Sequence, residues 1–407
     1  MKILLFAPNA GVSLSTGGGS TFTETLARTL LELGHEVDVA AYHALAPSRL
    51  PNADAWAALY AHPRFALRCQ EAGALPYTAF RIFPAKLSAY VGLLLPGFDG
   101  WVRRTIRAAH PDLLWFQDDI PRAALPSLRS VRSSLYVHYP LAARSPRIAP
   151  ALSETAPLTE RVGEAVVGRV LGKVVADPPR WTQAIWANSS VTARAVTAAW
   201  GGAPVPVVPA VIDPVGNPPE PVDRTAQSVA VGTISRGKGY HVLVPWFAQA
   251  TRGEARARLI IAGFSGDPSY LRRLRRAIRA AEADERTTLL SDVPGERLVE
   301  LYRGSRTILH AAAFEPFGMV VLEAMARGCI PVVLRSAFSG AWVDLLEEGR
   351  WGFGFGTPEE LGEVLHRLED EPAYAQNESL RAVARAASFD RPRFVARVRE
   401  LLNGLST

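Results

Sequence analysis

Apolar residues in this chain gather in short unbroken runs that end at turn residues. Lys2-Ile-Leu-Leu-Phe-Ala7 is the first such run and stops at Pro8. A run apolar on both faces predicts a strand buried in a parallel sheet. A Ser/Thr/Gly loop at 15–20 follows, and Thr21-x-x-Glu24 has the spacing of a capping box. Phe22, Leu26, Leu30 and Leu33 then recur at helical spacing, Gly34 ends the helix, and Glu36-Val-Asp-Val-Ala40 is the next strand. This β-loop-α-β unit opens a doubly wound sheet.

Further runs repeat the theme. Leu113–Phe116, Leu135–His138 and Ala184–Ala187 read as strands, and Asn188-Ser189 is placed to cap a helix over Val191–Trp200. Residues 44–100 mix aromatic, Pro and Arg residues without clear periodicity. The segment 214–222 holds four prolines in nine residues, an extended semi-rigid connection. A second set follows: Ser228–Val231, a helix from about Tyr240, Leu259–Ala262, Thr307–Leu309 and Pro331–Leu334. The pattern predicts an N-terminal Rossmann-like domain over 1–213, a Pro-rich hinge at 214–224 and a C-terminal Rossmann-like domain over 225–390. A helix over 391–407 would pack back on the N-domain. Such a hinge permits domain closure.

Composition narrows the class. With 48% hydrophobic and 21% charged residues in 407, the chain has a globular profile and is neither disordered nor fibrous. Two cysteines, Cys69 and Cys329, make no disulfide framework and indicate a reducing compartment. The N-terminal apolar run is too short for a signal peptide, and no stretch of 18 apolar residues could span a membrane. The net charge is +6, carried by 41 Arg against 4 Lys. That bias has two readings, a general preference for arginine or attraction to anionic partners. The expected localisation is cytoplasmic, with the cytoplasmic membrane surface as the one membrane site open to it.

Several motifs can carry chemistry. Gly17, Gly18 and Gly19 lie between a strand and a helix start, where amides can approach an anion; a flexible loop is the alternative. Phe22 fills the third glycine position of G-x-G-x-x-G, which weakens a dinucleotide reading. Gly232-Thr-Ile-Ser-Arg-Gly-Lys238-Gly239 matches a P-loop except that Gly239 replaces the Mg²⁺-binding Ser or Thr. What remains is a Gly-rich turn offering Arg236 and Lys238 to phosphates. Glu315-Pro-Phe-Gly-Met-Val-Val-Leu-Glu323 is the most specific signal, with Phe317, Gly318, Met319 and Val320 opening a helix that runs to Gly328. Its two glutamates could touch different parts of one elongated ligand, or serve as a helix-end charge and a solvated side chain. His138 stands at a strand end, where sites lie, although a lone histidine is often structural. Asp118-Asp119 reads as a solvated loop, and the arginines at 272, 273, 275, 276 and 279 as a solvated helix face. The other histidines show no metal-ligand spacing.

Taken together, these motifs resemble the retaining GT-B glycosyltransferases of the large family that includes glycogen and sucrose synthases and lipid-linked mannosyltransferases. Gly17-Gly18, Leu26-Ala27 and Gly34-His-Glu-Val37 are similar to its N-terminal pattern, Ala187-Asn-Ser189 to its strand end, and Glu315 to Glu323 to its E-x7-E signature. Tyr136-Val-His-Tyr-Pro140 is similar to enzymes that add α-mannose to dolichol-linked oligosaccharides. The resemblance implies an α/β fold of two Rossmann-like doubly wound parallel-sheet domains facing each other across a cleft. It implies Gly17, Gly18 and Gly19 near the donor or acceptor, Lys238 on the diphosphate, Glu315 on the transferred sugar and Glu323 on the ribose. The amides of Phe317–Val320 would line sugar and phosphate, and His138 the reacting centre. It also implies no cofactor and no metal. Two positions depart from the pattern: Thr233 replaces the usual arginine, a role Arg236 could take, and Ala312 stands where Ser is common.

The expected activity is transfer of a hexose, mannose from GDP-mannose being favoured, from a nucleotide diphosphate sugar to a glycan or lipid-linked glycan with retention. No nucleic-acid partner is expected. A nucleotide-sugar epimerase and an inactive nucleotide-binding subunit are the alternatives. The stretch 90–107, with Leu93, Leu94, Leu95, Phe98 and Trp101 beside Arg103, Arg104 and Arg107, would suit peripheral contact with an anionic membrane.

Overall fold

The structure, a computed structural model, describes residues 1–7, 18–41, 53–69, 97–139, 178–212, 225–265 and 268–405. They form two units, Met1–Pro209 with Phe394–Thr407, and Ala210–Arg393. Gly17, Pro140, the proline-rich segment 214–222 and the apolar stretch 90–95 lie outside the described residues.

In unit 1, six strands make one sheet: β1 (Lys2–Ala7), β2 (Glu36–Ala41), β3 (Phe65–Cys69), β4 (Leu113–Gln117), β5 (Arg132–Val137) and β6 (Ala184–Ala187). Their order is β3-β2-β1-β4-β5-β6, and every pairing is parallel. Ile3 to Ala7 are wholly buried, as expected of a strand covered on both faces. Helix α1 (Gly18–Glu32) lays Phe22, Leu26 and Leu30 into the core, and Gly34, at φ 89°, ends the turn that follows. The capping box is not formed: the helix begins three residues before Thr21, and Glu24 is buried and paired with Arg28 instead.

Unit 2 repeats the topology. Strands β7 (Thr225–Val231), β8 (Arg258–Gly263), β9 (Thr287–Ser291), β10 (Ser305–His310), β11 (Ile330–Leu334) and β12 (Phe353–Phe355) lie in the order β12-β11-β10-β7-β8-β9, again all parallel. Counted from its own first strand, this sheet has the same winding as the first. The winding reverses between β1 and β4 in unit 1 and between β7 and β10 in unit 2. Ligand sites on such sheets lie beyond the strand C-termini at that reversal. The two residues that close β7 and β10 are Val231 and His310.

Two expectations need correction. The helix after Glu315 is short, Met319–Met325, and does not reach Gly328. Phe98 is buried and Trp101 packs on the unit 1 core through helix Phe98–Ala109, so both face inward. Of that stretch, Gly97, Asp99, Arg103, Arg104 and Arg107 are exposed among the described residues, and Trp101 is half-buried. No helix among the described residues is long and apolar enough to cross a membrane.

Candidate functional site

The site of unit 2 is assembled at the reversal of its sheet. After β7 the chain turns at Gly232, makes a single 3₁₀ turn over Arg236–Lys238, and enters helix Tyr240–Ala250 through Gly239. Gly239 has φ 71°, and a Cβ there would stand 2.2 Å from the Ala311 carbonyl oxygen. Only glycine tolerates both conditions. The P-loop Ser or Thr is therefore excluded by the packing of this turn on the end of β10.

Glu315 follows β10 and is pinned through its backbone. Its N–H donates to the Phe338 carbonyl at 3.2 Å, and its own carbonyl accepts from the Gly340 N–H at 2.7 Å. The side chain is nearly buried, and its Oε2 receives Lys238 Nζ at 2.5 Å. His310 Nε2 lies 3.2 Å from the same oxygen. Burial pushes the Glu315 carboxyl up, but Lys238 and then His310 outweigh it and hold it well below the usual carboxylate range. Lys238 and Glu315 are thus direct partners, although the sequence suggests separate contacts for them. His310 was missed entirely. Its only signal was its place as the last residue of an apolar strand.

The Tyr240 hydroxyl is buried beside this group without a hydrogen-bond partner. It lies 3.2 Å from where a Cβ on Gly232 would stand, next to the Lys238 stem. Burial, with Tyr270 and Glu315 adding to it, pushes its phenol well above the ordinary range. Arg236 shares the 3₁₀ turn; burial, and then the charges of Arg236 and Arg273, lower the pKa of the His241 imidazole. Glu323 is separate from Glu315. It is half-buried on Met319–Met325, with the Tyr302 hydroxyl 3.5 Å from its carboxylate. Burial raises its carboxyl, against the opposing pull of Arg327 and Tyr302. Phe317 is buried and meets Phe389 edge to face at 5.6 Å. Gly318, at φ 101°, caps the short helix, and Met319 and Val320 are half-buried in its first turn. Ala312 is wholly buried, and Thr233 is half-buried.

In unit 1, His138 follows β5. Asp118, in a left-handed conformation at φ 63°, accepts the His138 N–H at 2.7 Å and the Tyr139 N–H at 3.1 Å. The His138 carbonyl accepts from Thr192 Oγ1 at 2.9 Å. Asp118 is therefore a structural anchor of the His138 turn and Asp119 is buried, so the pair is not a solvated loop. The ring stands edge-on to Phe22 and Tyr136, with centroids at 5.0 and 5.1 Å. Its Nε2 is buried without a hydrogen-bond partner, and burial lowers the imidazole pKa despite nearby Asp118. Thr23 Oγ1 donates to Gln117 Oε1 at 3.0 Å, which ties α1 to the end of β4. Gly18 and Gly19 form the first turn of α1. Among the described residues no three His, Cys, Asp or Glu side chains cluster as metal ligands.

The fold is that of the GT-B glycosyltransferases. Sucrose-phosphate synthase of Thermosynechococcus elongatus superposes with a TM-score of 0.72 at 18% identity, over 99% of this chain and 98% of that one. Residues 218–387 match the model of the family described as glycosyl transferases group 1, which supports that family for this chain. The D-inositol 3-phosphate glycosyltransferase of Nocardia farcinica is 36% identical over 168 residues, 39% of this chain and 36% of that protein. Mannosylfructose-phosphate synthase of Agrobacterium fabrum is 30% identical over 110 residues, 26% of this chain and 24% of that protein. The aligned parts thus span about a quarter to a third of these curated relatives.

Proposed function

We propose that this chain is a glycosyltransferase that moves a hexose from a nucleotide diphosphate sugar with retention and without a metal ion. The observation that carries this is the Lys238–Glu315 pair at the reversal of the unit 2 sheet. Negative charge develops on the leaving diphosphate. A cation brought to that place stabilises the transition state more than the ground state. Lys238 takes the diphosphate, with Arg236 on the same turn, and the amides at Phe317, Gly318, Met319 and Val320 add neutral donors. Glu315 accepts hydroxyl protons of the transferred sugar, and Glu323 those of the ribose. In unit 1, His138 is the catalytic candidate, supported by a buried Nε2 with no partner, and Gly17, Gly18 and Gly19 are the anion-approach segment.

Mannose from GDP-mannose is the donor we favour; the similarity to the mannosylfructose-phosphate synthase of Agrobacterium fabrum supports the sugar and does not bear on the nucleotide. A lipid-linked glycan is the acceptor we favour. With Phe98 and Trp101 turned inward, membrane contact rests on Arg103, Arg104 and Arg107 and is electrostatic. Proton NMR of the product formed from GDP-mannose tests the reading. An α-linked mannoside supports retention. A β-linked product, or mannose nucleotide epimerised without acceptor, overturns it.

A further inference from the structure

Glu315 has two partners of different mobility. Lys238 Nζ is at 2.5 Å on a long stem that is a quarter exposed, with 26% of the side chain accessible. His310 Nε2 is at 3.2 Å from the same oxygen, on a side chain only 4% exposed, at the last position of a central strand. The His310 nitrogen lies near Glu315 but off the line of a hydrogen bond, and it has no other hydrogen-bond partner. A buried polar atom left in that state costs stability and asks for an explanation.

We propose that His310 is the positioning residue of Glu315, the partner that keeps this carboxylate compensated when Lys238 is drawn away. The inference rests on the reading of Lys238 as the diphosphate ligand. An ammonium has three N–H donors but a single charge, so a diphosphate, which carries more negative charge, draws it away from the carboxylate. When the diphosphate takes the ammonium, a nearly buried carboxylate loses its charge partner, which is costly unless another donor is in reach. His310, in the tautomer that carries its proton on Nε2, is that donor. It sits on a rigid strand end, so it stays while the flexible lysine moves. A small rotation of the carboxylate brings its oxygen onto the Nε2–H. The exchange also fixes Glu315 in one orientation as the sugar arrives. Residue 310 thereby sets how much of the diphosphate affinity is lost to breaking the Lys238–Glu315 pair.

Two measurements test this. The first needs no donor: unfolding midpoints of the wild type, Lys238→Ala, His310→Leu and the double variant. Each single variant leaves Glu315 one partner and the double leaves none. The double should therefore lose roughly 2–4 °C beyond the sum of the singles. Adding Glu315→Gln should abolish that excess. Additive losses overturn the proposal. The second is calorimetric titration with ADP, GDP and UDP. For the nucleotide that binds, His310→Leu should weaken affinity about tenfold and His310→Gln, which keeps an N–H donor, by less than threefold. The Glu315→Gln change should restore His310→Leu to the affinity of Glu315→Gln alone. Wild-type affinity in His310→Leu, or equal losses in the Leu and Gln variants, overturns the proposal. If no nucleotide binds the wild type, the donor reading fails, and the unfolding cycle alone decides the role of His310. Should His310→Leu not fold, His310→Asn, whose amide falls short of Glu315, replaces it in both measurements.

Discussion

Lys238 and Glu315 are 77 positions apart in the chain, yet their charged atoms meet at 2.5 Å. The turn after β7 brings the first and the segment after β10 the second, and these two strands are neighbours only because the sheet reverses its winding between them. The pair joins a cation suited to phosphate and a carboxylate suited to sugar hydroxyls in a single contact. Each is a counter-ion of the other.

Glu315→Gln should destabilise unit 2 by about 1–3 kcal/mol at pH 7, through loss of a charge-assisted bond at a nearly buried site. The native Glu315 carboxyl lies below its ordinary value of 4.5, so its contribution is full above that value and fades as pH falls through the native one. The difference between wild type and variant should therefore shrink on acidification below about pH 4.5. Urea unfolding at pH 7 and in stepwise acid measures it. A difference independent of pH would assign the loss to shape instead of charge.

Glu323 titrates in the opposite sense. Burial raises its carboxyl, so its ionised form opposes folding as pH rises through the native value. Glu323→Gln should be more stable than the wild type at pH 8, with the advantage vanishing in acid. If Glu323 holds ribose hydroxyls, the same variant should bind nucleoside diphosphate more weakly. Greater stability with unchanged affinity would remove Glu323 from the donor site.

Gly239→Ser completes a P-loop pattern on paper. The new Cβ would meet the Ala311 carbonyl oxygen at 2.2 Å, in a backbone conformation that disfavours side chains. The variant should lose about 2 kcal/mol or more of stability and gain no Mg²⁺-dependent nucleotide binding. Thermal unfolding with and without MgATP checks both. A stable, Mg²⁺-responsive variant would revive the P-loop reading.

Electrostatic membrane contact predicts that the Arg103/Arg104/Arg107→Ala triple variant co-sediments less with anionic vesicles at low salt, with neutral vesicles unaffected. These side chains are exposed on Phe98–Ala109, so the fold should survive. Wild-type protein that stays in the supernatant at low salt would favour a soluble acceptor.

The interior strands were legible because burial on both faces writes an apolar run into the sequence. Lys2–Ala7, Leu113–Gln117 and Ile330–Leu334 stand nearly where that pattern puts them, and of the edge strands Ala184–Ala187 alone showed the same apolar run. The strands that escaped, Phe65–Cys69, Thr287–Ser291 and Phe353–Phe355, are all at sheet edges. An edge strand needs fewer apolar positions. Phe65–Cys69 even carries Arg68, whose Nε donates to Asp38 at 2.7 Å. Among the candidate residues, Glu315 and Lys238 of unit 2 stood out through spacing, and His138 of unit 1 through its strand-end position. The ion pair between the first two was not legible, because it depends on which strands are neighbours. His310 was hidden for the same reason: a histidine that closes an apolar strand gives no hint of the carboxylate five residues on that turns back to meet it. The short helix after Gly318 was overextended because apolar spacing continues past Met325, where Arg327 and Gly328 already form a turn.

In the proposed function Lys238 binds the diphosphate of the donor without a metal ion. Calorimetric titration of wild type and Lys238→Ala with GDP, UDP and ADP in EDTA tests it most directly. One of these nucleotides should bind the wild type in EDTA, and its affinity should fall at least about tenfold in Lys238→Ala, the loss of one charge-assisted contact to phosphate. Equal affinity in the two proteins, or binding that appears only when a divalent cation is restored, would contradict it.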